Sequence, residues 1–414
     1  MRDLPSTLPD GWTTKRLGAL AKVTSGGTPR RAIAEYWGGN VPWVTTGEID
    51  FNTIKSTDEH ITEAGVANSS AKVFPAGTLL MAMFGQGVTR GKVATLGVDG
   101  AFNQACVAIV PKDGLATRYL YQFLAHRYQH IRALANTGSQ ANLNAALIRG
   151  LDVIVPPKQE APVIASIGDT YDRATDRISR LIRARRKLKR GLLQQLLTGL
   201  RRFPEFRKQP WVEVPIADLL REEERYVKWS DDDEYRLVSV RRRSGGFFDR
   251  ERKRGKDIMT KTLKITRTGD FVLARMQVLH GAMTVTPPEF DGAHISDSYM
   301  TFVPRDSKTL WMPFFGYLST TPLMYHKAFT SSFGVAIEKM TFHPRWWLTE
   351  RVRVPQSVDE QKKIADVLHA CDHELALLRT LHDALKEQKK GLMQKLLTGQ
   401  VRVPASMLKE ASHA

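Results

Sequence analysis

The sequence predicts an α+β fold in which two mixed α/β domains are each followed by a long helix. The first observation is a repeat: KRGLLQQLLTGLRRFP at Lys189–Pro204 returns as KKGLMQKLLTGQVRVP at Lys389–Pro404, 200 residues later. The second is that each copy ends a heptad pattern of apolar residues about forty residues long, which is typical of a coiled-coil helix. In the first helix this pattern includes Leu181 and Leu188 and has Arg185 at one core position. A period of this length is too long for a solenoid repeat, so it indicates duplication of a two-part unit.

The same patterns divide the chain into five segments. These are a first domain at residues 1–155, a long helix at 156–200, a second domain at 201–355, a second long helix at 356–400 and a tail at 401–414, in which we expect 405–414 to be disordered. In the first domain, apolar runs predict strands at Thr78–Phe84, Ala105–Pro111 and Asp152–Pro156, and helical spacing predicts a helix at Thr117–Ala135. The second domain repeats this plan loosely, with different loops.

The charge of the chain points to a polyanionic partner. The formal net charge is +18 and the pI about 9.9, which favours nucleic acid or an anionic membrane. A membrane-surface role is disfavoured because the long helices use their apolar stripe for the heptad seam. The polar N-terminus and the absence of a long apolar run predict neither a signal peptide nor a membrane span. Two cysteines, Cys106 and Cys371, form no disulfide framework, which fits the cytoplasm.

Two loops of the first domain carry candidate DNA-binding residues. In SGGTPRR, Thr28, Arg30 and Arg31 combine a hydroxyl, exposed backbone and two guanidiniums, which suits phosphate contact; a surface turn has the same composition. FGQGVTRGKV at Phe84–Val93 matches neither the dinucleotide fingerprint nor the P-loop. We expect it to present Gln86, Arg90 and Lys92 to a groove of DNA, with a plain hairpin as the alternative.

A third candidate stretch of the first domain is TGSQANLNAALIRGL at Thr137–Leu151. It places Ser139 and Gln140 ahead of a short apolar helix. Gln can bond adenine through two hydrogen bonds, although capping of the helix explains Ser139 equally well. His126 and His130 have the spacing of a metal pair on a helix, but no acidic partner lies nearby in sequence, which favours a surface role.

The densest basic segment of the chain is RRRSGGFFDRERKRGK at Arg241–Lys256. Its candidate DNA-binding residues are Arg241, Arg242, Arg243, Arg250, Lys253, Arg254 and Lys256. Basic residues beside Phe247 and Phe248 on a flexible loop predict a chain that grips phosphates and presses apolar edges into a groove. The alternative is a merely solvated loop, which is disfavoured because so many like charges repel unless a partner neutralises them.

A last candidate segment, ARMQVLHGA at Ala274–Ala282, occupies the position that FGQGVTRG has in the first domain. It offers Arg275, Gln277 and His280 as base-reading residues, with a buried strand and turn as the alternative. The sequence contains no HExxH motif, no metal-spaced Cys/His set, no Walker A lysine and no nucleophile elbow. We therefore expect a non-catalytic binding protein with no metal and no cofactor of its own.

The residues at the helices carry a resemblance to a known family. Two variable domains, each followed by a long heptad helix ending in LLTG, resemble the DNA-specificity subunit of type I restriction–modification systems. VPQSVDEQKKIADVLHACDHELALL at Val354–Leu378 and LKEQKKGLMQKLLTG at Leu385–Gly399 are very similar to that family. The opening LPDGWTTKRLGALAKVTSGGTPRR also resembles the start of many members, whereas the start of the first long helix, Lys158–Pro162, departs from the pattern.

The resemblance implies a function based on geometry. Each variable domain would be a target recognition domain for one half of a split DNA sequence. The two helices would form an intramolecular antiparallel coiled coil with pseudo-twofold symmetry, which fixes the spacer between the half-sites. Two methyltransferase subunits and two restriction/translocase subunits would be the partners, and these would hold S-adenosylmethionine, ATP and magnesium. The alternative function is a coiled-coil scaffold that binds proteins without sequence-specific DNA binding.

Overall fold

The computed structural model of the protein describes Pro5 and residues 7–85, 88–112, 115–134, 142–334 and 340–412. The chain divides into two compact units. The first unit comprises Met1–Ser179 and Thr380–Ala414, and the second comprises Arg180–Arg379. Because both boundaries lie inside long helices, each unit contains part of both helices. The division predicted at residues 155, 200, 355 and 400 stays a prediction.

The first unit is built on short strands and helices. Its strands are β1 (Thr13–Arg16), β2 (Ala21–Ser25), β3 (Trp37–Val44), β4 (Thr53–Ile54), β5 (Glu59–Ile61), β6 (Leu79–Ala82), β7 (Val93–Leu96), β8 (Ala101–Phe102), β9 (Cys106–Pro111) and β10 (Asp152–Val155). Its short helices are α1 (Leu17–Leu20), α2 (Glu63–Ala67), α3 (Thr117–His126), α4 (Tyr128–Leu134) and α5 (Ala145–Arg149). The predicted helix at 117–135 is thus two helices, since it is interrupted at Arg127.

Three sheets organise these strands. The largest has the order β2-β9-β6-β7-β4, a second has the order β5-β3-β8, and β1 pairs with β10. The alternation of β6 fixes the core, because Leu79 and Met81 pack on the side of α3 while Leu80 and Ala82 pack on the opposite side with Cys106. Both faces of this strand are buried, which explains its continuous apolar run. Burial also raises the pKa of the Cys106 thiol well above its ordinary value.

The second unit follows the first long helix, α6 (Glu160–Leu197). Its strands are β11 (Trp211–Pro215), β12 (Leu220–Glu222), β13 (Glu234–Val240), β14 (Phe247–Arg254), β15 (Leu263–Ile265), β16 (Phe271–Ala274), β17 (Met283–Val285), β18 (His294–Ser296), β19 (Tyr299–Pro304), β20 (Ser332–Phe333), β21 (Thr341–Phe342) and β22 (Arg351–Pro355). Its short helices are α7 (Ile216–Leu219), α8 (Met312–Ser319), α9 (Pro322–Thr330) and α10 (Pro344–Thr349). The second long helix, α11 (Val358–Leu397), follows β22.

The sheets of the second unit repeat those of the first. The order β12-β19-β16-β17 corresponds to β2-β9-β6-β7, and β11 pairs with β22 as β1 does with β10. A second sheet has the order β14-β13-β18-β15 and contains the parallel pair β13–β18, just as β3 pairs in parallel with β8. The duplication predicted from the helix ends therefore extends through both domains.

The two long helices end alike. Gly199 and Gly399 follow α6 and α11, and both have a φ of +71°. Only glycine adopts this left-handed conformation at low cost, so each glycine terminates its helix as the repeated LLTG motif predicts. The heptad assignment is less accurate, since Leu181 and Leu188 are substantially exposed whereas Ile182 is buried. A helix with 3.6 residues per turn drifts away from a strict heptad over such a length.

The C-terminal segment differs from its prediction. Residues predicted as a disordered tail form helix α12 (Ala405–Ser412) in the first unit. The helix begins directly after Pro404, and Leu408 packs against the core that contains Val403. Pro favours the start of a helix, and the apolar contact stabilises the segment against fraying.

Candidate nucleic-acid interface

The loop that carries Thr28 lies at one end of the large sheet in the first unit. The backbone N–H of Gly26 donates to the Cys106 carbonyl at 3.1 Å. A Cβ on Gly26 would lie 2.1 Å from a carbonyl oxygen of the chain, so no other residue fits this approach. The hydroxyl of Thr28 donates to Oε1 of Gln104. Thr28 is therefore held against the turn before β9, while Arg30 is exposed.

Arg31 is exposed but already has an anionic partner. Its guanidinium pairs with the Glu59 carboxylate, with 3.0 Å between Nη2 and Oε1, and lies 3.7 Å from the centre of the Trp37 ring. The hydrogen bond from Arg31 lowers the pKa of Glu59. A phosphate that binds Arg31 must compete with this carboxylate or share the guanidinium with it.

The segment Phe84–Val93 links β6 and β7, which pair antiparallel. The N–H of Gly91 donates to Ala82 at 2.8 Å, and the Tyr128 hydroxyl donates to the Val88 carbonyl. Gln86 lies outside the described residues, and Arg90 is half-buried. Lys92 does not project into a groove: its side chain is only 14% exposed, and its Nζ lies 2.5 Å from Asp50.

The stretch predicted to read bases after α4 lies partly outside the described residues, which include neither Ser139 nor Gln140. The residues that follow it are well placed, because the Leu143 N–H donates to the Met83 carbonyl at 3.1 Å. Met83 in turn donates to Ala105 at 2.8 Å, next to the Gln104 that holds Thr28. The described parts of the three predicted DNA-binding stretches of the first unit therefore meet at one end of the large sheet.

In the second unit the structure joins two predicted DNA-binding stretches directly. The N–H of Arg243 donates to the His280 carbonyl at 2.6 Å, and the N–H of Ser244 donates to Gly281 at 2.7 Å. Arg241, Arg242 and Arg243 are exposed on one of these turns. The basic turn 241–246 and the hairpin turn 275–282 therefore form a single surface.

The prediction of a flexible loop at Arg241–Lys256 is wrong for half of its length, because Phe247–Arg254 forms strand β14 at the edge of a sheet. Phe247 is buried and stacks on Phe290 with 5.3 Å between ring centres, so it is unavailable to a groove of DNA. Phe248 lies under the Arg241 guanidinium at 4.6 Å. Both aromatic side chains thus contact other residues of the protein, and these contacts stabilise the position of the strand.

Strand β14 carries the remaining basic candidates. Arg250 is the extra residue of a β-bulge, since Val238 pairs with Asp249 and Leu237 with Glu251. Arg250, Arg254 and Lys256 are exposed, whereas Lys253 is half-buried and pairs with Glu251 at 3.1 Å. A bulge turns side chains out of the regular alternation, which leaves Arg250 facing away from the ladder.

Only part of the predicted base-reading set is exposed on the hairpin turn 275–282. Arg275 is exposed. Gln277 is half-buried with its Oε1 enclosed and without a hydrogen-bond partner, and His280 is half-buried beside the Arg243 N–H. The enclosed Oε1 shows that the end of the Gln277 side chain is turned inward, and the short helix Val278–His280 follows it directly.

Sequence inspection overlooked a set of residues that tie the helices to the first unit. The Asp172 carboxylate accepts from Lys389 Nζ at 2.6 Å and from Gln122 Nε2 at 2.8 Å. Glu160 at the start of α6 accepts from Nε of Arg402, with both carboxylate oxygens 3.1 Å from that nitrogen. These pairs connect α6, α11 and α3 within the unit.

The second unit repeats the same contacts with residues 200 positions away. Asp372 pairs with Lys189 and accepts from the Tyr317 hydroxyl at 2.9 Å. Glu360 accepts from Arg202, with 2.9 Å to Nε and 2.6 Å to Nη2. The sequence signal was available, since each acidic and basic partner recurs in both copies at the same offset.

The described residues contain no group of three or more His, Cys, Asp or Glu side chains arranged to hold a metal ion. Nε2 of His126 lies 2.8 Å from Oε1 of Gln394, and burial lowers the pKa of His126. Among the helices of the described part of the chain, none is long and apolar enough to cross a membrane.

Comparison with known proteins finds a family match for the first part of the chain. Residues 9–185 match the type I restriction modification DNA specificity domain. The resemblance predicted from the helix sequences is therefore confirmed. The matched region includes β1–β10 and the first part of α6, and it contains every DNA-binding candidate of the first unit.

Several named specificity subunits are similar in sequence to parts or most of this chain. The MjaIX specificity subunit of Methanocaldococcus jannaschii is 27% identical over 170 residues, which cover 40% of this chain and 39% of that protein. The EcoR124I/EcoR124II specificity subunit of Escherichia coli is 29% identical over 175 residues, covering 40% and 42%. The matches thus span about two fifths of these two relatives. The MjaVIII specificity subunit of M. jannaschii is 20% identical over 420 residues, covering 96% and 94%.

Solved structures extend the likeness to the whole chain. The S subunit of a type I restriction–modification system from M. genitalium has a TM-score of 0.60 at 14% identity and covers 95% of this chain and 97% of its own. A chain from work on complex assembly and conformational transition of the type I R-M system has a TM-score of 0.54 at 14% identity, with coverage of 96% and 100%. These likenesses confirm the predicted α+β fold of two domains joined by long helices.

Proposed function

We propose that the protein is the DNA-specificity subunit of a type I restriction–modification complex and reads a DNA target in two halves. The single observation that carries the proposal is that a specificity domain in the first unit is matched by a second unit with the same sheet order. Each unit would recognise one half of the target, so one chain would recognise both halves. As the resemblance implies, the paired helices would fix the length of the spacer between the half-sites.

The chain itself would perform no catalysis. Two methyltransferase subunits and two restriction/translocase subunits are the proposed partners, and they would carry S-adenosylmethionine, ATP and magnesium. The basic surfaces support DNA as the other partner, because the chain carries a net charge of +18 and exposes Arg241–Arg243 beside Arg275. Acting on DNA, the complex would work in the cytoplasm.

The proposed DNA-binding residues differ in how directly they can contact DNA. Arg30, Arg242, Arg243, Arg254 and Arg275 are exposed and suit phosphate or base contacts. Arg241 also supports the fold, because its Nη1 donates to the Phe247 carbonyl at 2.9 Å. The experiment on the basic turn therefore leaves Arg241 intact.

The experiment measures DNA binding by the full chain in complex with its methyltransferase subunits. We expect R242Q/R243Q to weaken binding and to make the slope of log affinity against log salt shallower by about two, since each lost phosphate contact removes about one counterion. The matched control, K208Q/R345Q, removes two exposed cations elsewhere in the second unit. Equal slopes for both variants would contradict a DNA contact at this turn.

Mapping of methylated adenines tests whether each unit recognises one half of the DNA target. Genomic DNA from cells that carry the system should contain methylated adenines in a split sequence. Exchanging residues 1–155 for another specificity domain should change only one half of that sequence. A change in both halves, or methylation of an undivided sequence, would refute the proposal.

A further inference from the structure

The corresponding turns between β6 and β7 and between β16 and β17 each expose an apolar side chain, which we call the apolar tip. In the first unit, Val88 lies in the turn between β6 and β7 and is 58% exposed; in the second, Met276 lies in the turn between β16 and β17 and is 65% exposed. Hairpin tips normally carry Gly, Asn, Asp or Ser, because these residues suit both the backbone and the solvent. The same exception in both copies indicates that the apolar tip has a role.

The surroundings of Met276 are cationic. Arg275 precedes it, and the hydrogen bonds from the N–H groups of Arg243 and Ser244 to residues 280 and 281 hold the basic turn against the same hairpin. Gln277 is turned inward. Met276 is therefore the apolar group that this basic surface presents to a partner.

The tip in the first unit is held in place by aromatic residues. The Tyr128 hydroxyl donates to the carbonyl of Val88 itself. The Tyr128 ring meets Phe51 edge to face, with 5.2 Å between centres. A tip fixed in this way is pre-organised for one contact, which reduces the entropy cost of binding.

The chemistry of DNA limits what such a side chain can contact. Phosphates and most positions on base edges are polar, whereas the C5 methyl group of thymine is an apolar group that projects into the major groove. Valine has only two methyl groups beyond its Cβ, which is enough to touch a projecting methyl but too short to enter the base stack. A contact that both Val and Met can make is therefore a methyl contact.

We propose that Met276 and Val88 each contact the C5 methyl of a thymine in the major groove, one in each half-site. The inference rests on the proposed function. It adds two residues that determine specificity by apolar contact, beside the arginines that bind phosphates and polar base edges.

The test uses the full complex with its methyltransferase subunits and duplexes of the mapped target. Each thymine of a half-site is replaced singly by uracil, which pairs identically but lacks the methyl group. One replacement in the half read by the second unit should weaken wild-type binding about fourfold, the effect of losing one buried methyl group. M276A should bind the thymine duplex about fourfold more weakly and should not distinguish it from the uracil duplex.

Two variants complete the test. V88A should show the same loss of thymine–uracil discrimination in the other half-site. M259A is the matched control, because Met259 is 99% exposed and lies in the same unit outside the hairpin; it should bind and discriminate like the wild type.

The inference is overturned if no uracil replacement weakens wild-type binding, or if M276A and V88A retain full discrimination. A rise in 2-aminopurine fluorescence that depends on Met276 would also overturn it, since this would show insertion into the base stack. In these cases sequence-specific binding persists and the proposed function stands. If the wild-type complex showed no sequence preference at all, the proposed function would be refuted together with this inference.

Discussion

Arg202 and Glu360 form a bidentate ion pair that joins the end of α6 to the start of α11 within the second unit. Oε1 and Oε2 of Glu360 lie 2.9 and 2.6 Å from Nε and Nη2 of Arg202, and the Glu360 side chain is only 1% exposed. The hydrogen bonds that Arg202 donates to Glu360 raise the pKa of Arg202. Arg402 and Glu160 repeat the pair in the first unit. Each LLTG motif is thus followed closely by the arginine of one of these ion pairs.

Replacing Glu360 by Gln should destabilise the second unit. A buried cation that loses its anionic partner is left poorly solvated, so we expect the free energy of unfolding to fall by about 2 kcal/mol. Chemical denaturation of the full chain measures this. The matched control is E387Q on the same helix, whose pair with Lys390 is exposed and should contribute less than about 0.5 kcal/mol. Equal effects of the two substitutions would contradict a structural role for the buried pair.

Arg185 and Glu374 provide a test of helix pairing within the second unit. Arg185 occupies a predicted seam position, and its Nε lies 2.8 Å from Oε1 of Glu374. R185E and E374R should each lower the melting temperature, because each places like charges together, and the double exchange should recover most of the loss. The coupling should be about 1 kcal/mol, since both side chains are partly exposed. Strictly additive effects would show that the two residues do not interact.

Removal of Glu59 should strengthen DNA binding by the first unit. The carboxylate neutralises Arg31 in the free chain, so E59Q frees a guanidinium that remains stacked on Trp37. We expect a few-fold higher affinity and a log–log salt slope that is steeper by about one. The control, E63Q, removes an exposed negative charge from α2 of the same unit. Identical gains for both variants would mean that only net charge matters and that Arg31 contacts no phosphate.

His126 should make the first unit sensitive to acid. Burial lowers the pKa of His126, so the folded chain binds a proton less readily than the unfolded chain. Stability is therefore complete above the ordinary pKa of about 6.5 and is lost as the pH falls below it towards the folded-state pKa. Amide exchange of α3, corrected for intrinsic rates, should show lower protection at about pH 5.5 than at about pH 7.5.

The matched variants separate His126 from general acid effects. H126Q retains a hydrogen-bonding side chain without the charge, so it should flatten the pH dependence of α3. H369Q, at an exposed position of α11 in the second unit, should leave that dependence unchanged. An unchanged profile in H126Q would assign the acid sensitivity to another group.

The candidate interface was predictable only in part. The basic turn at Arg241–Arg243 and the hairpin at 275–282 were identified from composition, because clustered like charges are rarely left without a partner. Their hydrogen-bonded contact was not predictable, since it joins residues almost forty positions apart in sequence.

The sequence by itself determined the duplication, the two long helices with their glycine ends and the α+β character of each unit. These features follow from local periodicity and from a repeat that needs no folding to be recognised. Tertiary structure alone decided which charges are available to DNA. Arg31 meets Glu59 and Lys92 meets Asp50 across 28 and 42 residues of sequence, and Phe247 is buried against Phe290. Pairing of this kind depends on the strand order of the sheets, which brings distant residues together and which no local pattern encodes.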